Sequence, residues 1–162
     1  MLVYRIVYKS YSRELRASGL EGRWSSEGKR VIYAAGSIAL AFLENMVRRQ
    51  GVGFNSGFKT MIIEIPDDLK IKTIRIESLA PGWRKISDYS KCQSLGNEWY
   101  DKAEKPVLKV PSAVLPEEFI YVMNATHPDF KKIKLIKTTE LIPDERIEDI
   151  LKSQSIKGRK EN

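Results

Sequence analysis

Arg23, Tyr33 and Glu44 are the polar residues that stand out between Gly22 and Glu44, spaced ten and then eleven positions apart (33 − 23 and 44 − 33). Ser37 is a natural N-cap and Gly51 a natural stop for a helix from Ile38 to about Gln50. In that frame Glu44 lies four residues after Leu40 and three before Val47, so a carboxylate sits on an apolar face. It is expensive to desolvate there unless something binds it. Two roles suit it: a working carboxylate, or an exposed Glu44–Arg48 pair at i,i+4 spacing contributing a few tenths of a kcal/mol.

The rest of the reactive inventory is short. Cys92 is the only cysteine and His127 the only histidine, which excludes internal disulfides and zinc sites built from His and Cys. Chemistry must come from carboxylates, hydroxyls and guanidinium groups, with no metal and no cofactor expected. Ser112, between Pro111 and Ala113, follows a strand directly and would place its hydroxyl at a sheet end. With no nucleophile elbow, and His127 as the sole base, a hydrolase triad is not expected. His127, before Pro128, reads as a structural ring that ties down a loop through a backbone hydrogen bond. Lys131, Lys132 and Lys134 read as a solvated edge, because no aromatic platform interleaves them.

The elements that must position these groups follow from pattern. At 162 residues and 42% hydrophobic content the chain has enough for one domain with a real core. Lysine and arginine exceed aspartate and glutamate by 28 to 21, a net charge of +7 that suits a phosphate-bearing or anionic partner. No apolar run approaches the ~20 residues needed to cross a bilayer, so a soluble, cytoplasmic protein is expected. Strands are expected near Leu2–Tyr8, Val31–Ala35, Lys59–Ile65, Ile71–Ile76, Val107–Val110, Phe119–Met123 and Ile133–Thr139. Pro66-Asp67-Asp68 reads as a hairpin-like connection between the third and fourth, and Arg13 to Ala17 as a helical turn. A second helix from Ser87 to Ala103 should turn Leu95, Trp99 and Ala103 inward, with Gly96 allowing close packing. The glycine-rich stretch from Gln50 to Gly57 reads as a hinge, and Asp144 to Lys152 as a terminal helix. Strands grouped with two helices, without a strand-helix-strand repeat, give an α+β fold with a mixed or mostly antiparallel sheet. Residues 1–152 form the domain, and 153–162 a basic, disordered tail.

As a set, the motifs are more specific. Gly22-Arg23-Trp24, Val31-Ile32-Tyr33-Ala34-Ala35, Ala39-Leu40-Ala41-Phe42-Leu43-Glu44, Pro81-Gly82-Trp83, Gly96-Asn97-Glu98-Trp99, Lys109-Val110-Pro111-Ser112 and Asn124-Ala125-Thr126-His127-Pro128 occur in order. This pattern resembles the RES domain family, the toxin half of Xre-RES toxin–antitoxin systems. The resemblance implies a fold like that of ADP-ribosyltransferase toxins and a site of Arg23, Tyr33, Glu44 and Ser112, with Arg5 as a weaker addition. It implies NAD as substrate: Glu44 at the ribose, Arg23 on a phosphate or ribose oxygen, Tyr33 stacked on the nicotinamide, and Ser112 holding its amide end. The reaction is NAD glycohydrolysis or phosphorolysis, or ADP-ribosyl transfer to a protein with the same residues; a nucleic-acid-directed toxin is the remaining alternative. An Xre-type antitoxin is the implied partner, with a homodimer inside the complex. Ser25 stands where the family usually has Asn, and Ala125 where it usually has Pro.

Overall fold

Period-2 alternation in Val31–Ala35 sends Val31, Tyr33 and Ala35 to one sheet face and Ile32 and Ala34 to the other, and apolar groups cover both faces. The computed structural model describes residues 1–49, 57–147 and 149. Among them are strands β1 (Leu2–Tyr8), β2 (Val31–Ala35), β3 (Phe58–Glu64), β4 (Ile71–Thr73), β5 (Val107–Pro111), β6 (Phe119–Asn124) and β7 (Lys134–Glu140). The helices are α1 (Ile38–Arg48) and α2 (Ser90–Lys102). The strands form one mixed sheet in the order β4-β5-β6-β2-β1-β3-β7, an α+β domain as expected.

Both helices contribute to the core on the Val31 face. Leu40 and Ala41 of α1 and Cys92 and Trp99 of α2 pack there with Trp24, Trp83, Leu108 and Val122. The opposite face is covered without a long helix, by Ala17, Leu69 and Phe130 over Met61, Ile63 and Met123.

Four expectations need correction. β4 ends at Thr73, and it pairs in parallel with β5 rather than as a hairpin with β3. The reason is that β3 has both edges occupied, by β1 and β7. The inward stripe of α2 is Cys92, Gly96 and Trp99, with Leu95 half-buried. Ala103 is exposed and ends the helix in the left-handed region at φ 47°. No helical turn forms at residues 13–17; a 3₁₀ turn lies earlier, at Lys9–Tyr11. The glycine-rich hinge from Gln50, most of the terminal helix and the basic tail fall outside the described residues.

Candidate active site

Glu44 owes its position to an α1 fixed at both ends. Ser37 Oγ accepts from the Leu40 amide at 3.1 Å and donates to the Glu118 carboxylate at 2.6 Å, which places a negative charge near the positive helix end. At the other end, Arg49 donates to the Tyr8 hydroxyl at 2.6 Å and stacks on the Phe58 ring, 4.3 Å from its centre. Between these anchors, Asn45 Nδ2 donates to the Ile6 carbonyl at 3.0 Å. That carbonyl lies past the point where β1 loses its neighbour, because β1 and β2 share one registered pair, Tyr4 with Ala35. A helix side chain thus supplies the bond a strand would have made, and the sheet opens beneath α1. Asn45 Oδ1 is buried with no hydrogen-bond partner among the described residues.

Half-buried Glu44 turns its Oε1 to Ser112, whose hydroxyl donates to it at 2.7 Å. Ser112 is fully buried, and its oxygen also accepts the amides of Val114 and Leu115, each at 3.0 Å. A serine hydroxyl has one proton and two lone pairs, and all three are used here. Ser112 therefore orients Glu44 and has no bonding capacity left for another group. Among the described residues no ion pair joins Glu44 to Arg48, so the helix-surface pair gives way to the Ser112 contact.

Tyr33 and Arg23 are organised by one turn. The Tyr33 hydroxyl accepts the Trp24 amide at 3.1 Å and shares a hydrogen bond with Ser25 Oγ at 2.9 Å. Burial pushes the Tyr33 phenol up, against those two hydrogen bonds and the positive charges of Arg48 and Arg23. Gly22 bridges to Ser25, and a Cβ on Gly22 would lie 2.7 Å from the Tyr33 hydroxyl, so no side chain fits. α2 supports the turn from below: Gln93 Nε2 donates to the Gly22 carbonyl at 3.0 Å, and Asn97 Nδ2 to Ser26 Oγ at 2.6 Å. A Cβ on Gly96 would meet the Trp24 carbonyl oxygen at 1.9 Å, which explains the glycine inside this helix.

Arg23 does not reach toward Glu44 with its hydrogen bonds. Its Nη1 donates to the carbonyls of Trp83 at 2.6 Å and Lys85 at 3.2 Å, and Nη2 to that of Arg84 at 3.2 Å. The guanidinium also stacks on Tyr89, 4.5 Å from the ring centre. Arg5, the residue after the single β1–β2 pair, donates to the Arg16 carbonyl at 3.4 Å. Burial lowers its pKa, and the charge of Arg48 lowers it further. Arg48 is exposed and acts on both Arg5 and Tyr33. Its role was hidden by its i,i+4 spacing from Glu44.

Elsewhere, a concavity of about 500 Å³ lies between Ser78–Trp83 and the first turns of α2, lined by Leu79, Trp83, Cys92 and Leu95 but by none of Tyr33, Glu44 or Ser112. His127 plays the structural part expected of it, Nδ1 accepting the Asp129 amide at 3.0 Å. Ser25, Asn45, Gln93 and Asn97 were not singled out by residue type. Only the Gln93, Gly96 and Asn97 spacing, a polar and small stripe on one helix face, was a visible signal.

Residues 2–146 match the RES domain. The chain belongs to the RES domain family. This RES domain is 33% identical over 128 residues to the Prs ADP-ribosylating toxin of Sphingobium sp. (strain YBL2), covering 78% of this chain and 80% of that protein. It is 31% identical over 151 residues to Toxin Res of Pseudomonas putida, covering 91% and 99%. Among solved structures, a chain of the M. tuberculosis MbcT-MbcA toxin-antitoxin complex shares the fold, with a TM-score of 0.71 at 19% identity over 91% of this chain and 88% of that one. Both departures from the family pattern have a local account. Ser25, buried at 1% exposure, bonds Tyr33. The Ala125 amide donates to the Arg30 carbonyl at 2.9 Å, a bond that proline could not make.

Proposed function

We propose that this RES domain is a toxin that breaks the bond between nicotinamide and ribose in NAD. The observation that carries the reading is the Glu44 carboxylate, held through Oε1 by buried Ser112 while Oε2 has no protein donor among the described residues. As the glycosidic bond breaks, its electron pair leaves on the nicotinamide nitrogen and the ribose becomes oxocarbenium-like. A fixed carboxylate beside C1′ stabilises that charge as it develops. Water or phosphate then adds to C1′ and releases a proton. The Tyr33 ring stacks on the nicotinamide, and Arg5 and Arg48 attract the diphosphate. NAD is the substrate, and no added metal or cofactor takes part.

A second reading is favoured by the relative named as an ADP-ribosylating toxin: the same residues transfer ADP-ribose to a protein. The protein partner is an Xre-type antitoxin that covers the site, in line with the fold neighbour found in a toxin-antitoxin complex. The chain acts in the cytoplasm, as a homodimer within that complex. The deciding experiment gives the purified chain NAD in chelator and follows nicotinamide, ADP-ribose and ADP-ribose phosphate separately. Nicotinamide with stoichiometric ADP-ribose or its phosphate supports degradation. Turnover only on adding a protein acceptor moves the assignment to transfer, and no nicotinamide in either case overturns both.

A further inference from the structure

Five hydrogen bonds lead from Arg23 to Glu44 without a gap. Arg23 holds the carbonyls of Trp83, Arg84 and Lys85 at 2.6, 3.2 and 3.2 Å. Arg84, from the middle of that loop, sends its Nε to the Ala113 carbonyl at 2.9 Å. Ala113 adjoins Ser112, and the turn it belongs to is closed by the Val114 and Leu115 amides on Ser112 Oγ. That oxygen in turn donates to Glu44.

We infer that Arg23 is a positioning residue, which sets the Glu44 carboxylate through the 83–85 loop and Ser112 instead of binding the substrate. Three features support this. A guanidinium is a planar fork, and here it spans three carbonyls of one turn, a geometry that a lysine ammonium does not reproduce. Gly82, at φ 79°, bends the chain so that successive carbonyls converge on that fork. The Tyr89 ring closes over the guanidinium, 4.5 Å away, so the group is enclosed by its own loop. The inference rests on the proposed NAD chemistry for its kinetic test, but the mechanical link has its own readout.

The experiment compares the full chain with Arg23→Lys and with Arg84→Met, which keeps the stem and removes the donors. With NAD, both variants should lower kcat at least tenfold while KM stays within about twofold. The double variant should lose little more than the worse single one, since both break the same chain of contacts. Amide hydrogen exchange should quicken at Val114 and Leu115 in both variants, with melting temperatures shifted far less than a global unfolding requires. A KM raised tenfold with kcat retained in Arg23→Lys would overturn the inference and make Arg23 a substrate ligand. Unchanged exchange at Val114 and Leu115 would overturn it as well. If wild-type protein consumes no NAD, the proposed function fails, and the exchange data alone decide the link.

Discussion

The Ser112 hydroxyl donates to Glu44 Oε1 at 2.7 Å, joining the end of β5 to the middle of α1 across 68 positions of sequence. The same oxygen closes its own turn, so the bond couples a carboxylate to the stability of the sheet edge. Ser112→Ala should therefore lower both stability and turnover. Each buried amide left without an acceptor costs about 1–3 kcal/mol. Urea unfolding should show a lower midpoint at unchanged slope.

Glu44→Gln keeps the size of the side chain and its ability to accept from Ser112, and removes the charge. Turnover should fall about 100- to 1000-fold, or about 2.7–4 kcal/mol, the usual effect of losing one aimed electrostatic partner. KM and melting temperature should move little. Arg48→Gln is the companion measurement. With no ion pair to Glu44, it should leave stability within about 0.5 kcal/mol and should weaken NAD binding. Near-normal nicotinamide release by Glu44→Gln would end the catalytic assignment.

Gly96→Ala sets two effects of opposite sign against each other. Helix propensity favours alanine by about 1 kcal/mol. The added Cβ, however, would stand 1.9 Å from the Trp24 carbonyl, a backbone atom that cannot rotate away. Overpacking typically costs about 1–3 kcal/mol, so the substitution should destabilise. Because the displaced turn carries Arg23 and Ser25, NAD turnover should fall with it; a raised melting temperature would contradict the packing geometry.

Tyr33 gives a pH dependence with a definite sign. Its folded-state pKa lies above the usual phenol value of 10.0, chiefly through burial. The neutral phenol is therefore favoured by the fold, and its stabilisation is whole below the unfolded value and lost as pH rises through the folded one. Melting temperature should drop from about pH 9.5 to 11, and Tyr33→Phe should flatten part of that drop. Part remains, because burial raises Tyr121 in the same direction. An identical alkaline slope in Tyr33→Phe would show that Tyr33 does not titrate differently on unfolding.

What could be read from residue order was whatever local pattern determines. Ser37 and the Leu40 spacing located α1, and the oddity of a carboxylate on an apolar face located Glu44, although not its partner. Gly96 announced a close approach. Pairings set by distant chain were not visible. Pro66-Asp67-Asp68 has good turn chemistry, yet β3 had no free edge for β4, a fact contributed by residues near both ends of the domain. Ser112 is an ordinary Pro-Ser until α1 comes over it. The acceptors of Arg23 are backbone carbonyls, which leave no trace in residue type.

The register of β2 has a consequence for biosynthesis. β2 meets β1 at one pair but runs against β6 for its whole length, from Val31 opposite Asn124 to Ala35 opposite Ile120. The ribosome releases Glu44 long before it makes β6, and in that interval β2 has no ladder and α1 no platform. Ser112 arrives in the same late stretch. A nascent or prematurely terminated chain that stops short of Asn124 is thus inert, and the hazard to the producing cell begins with the finished fold.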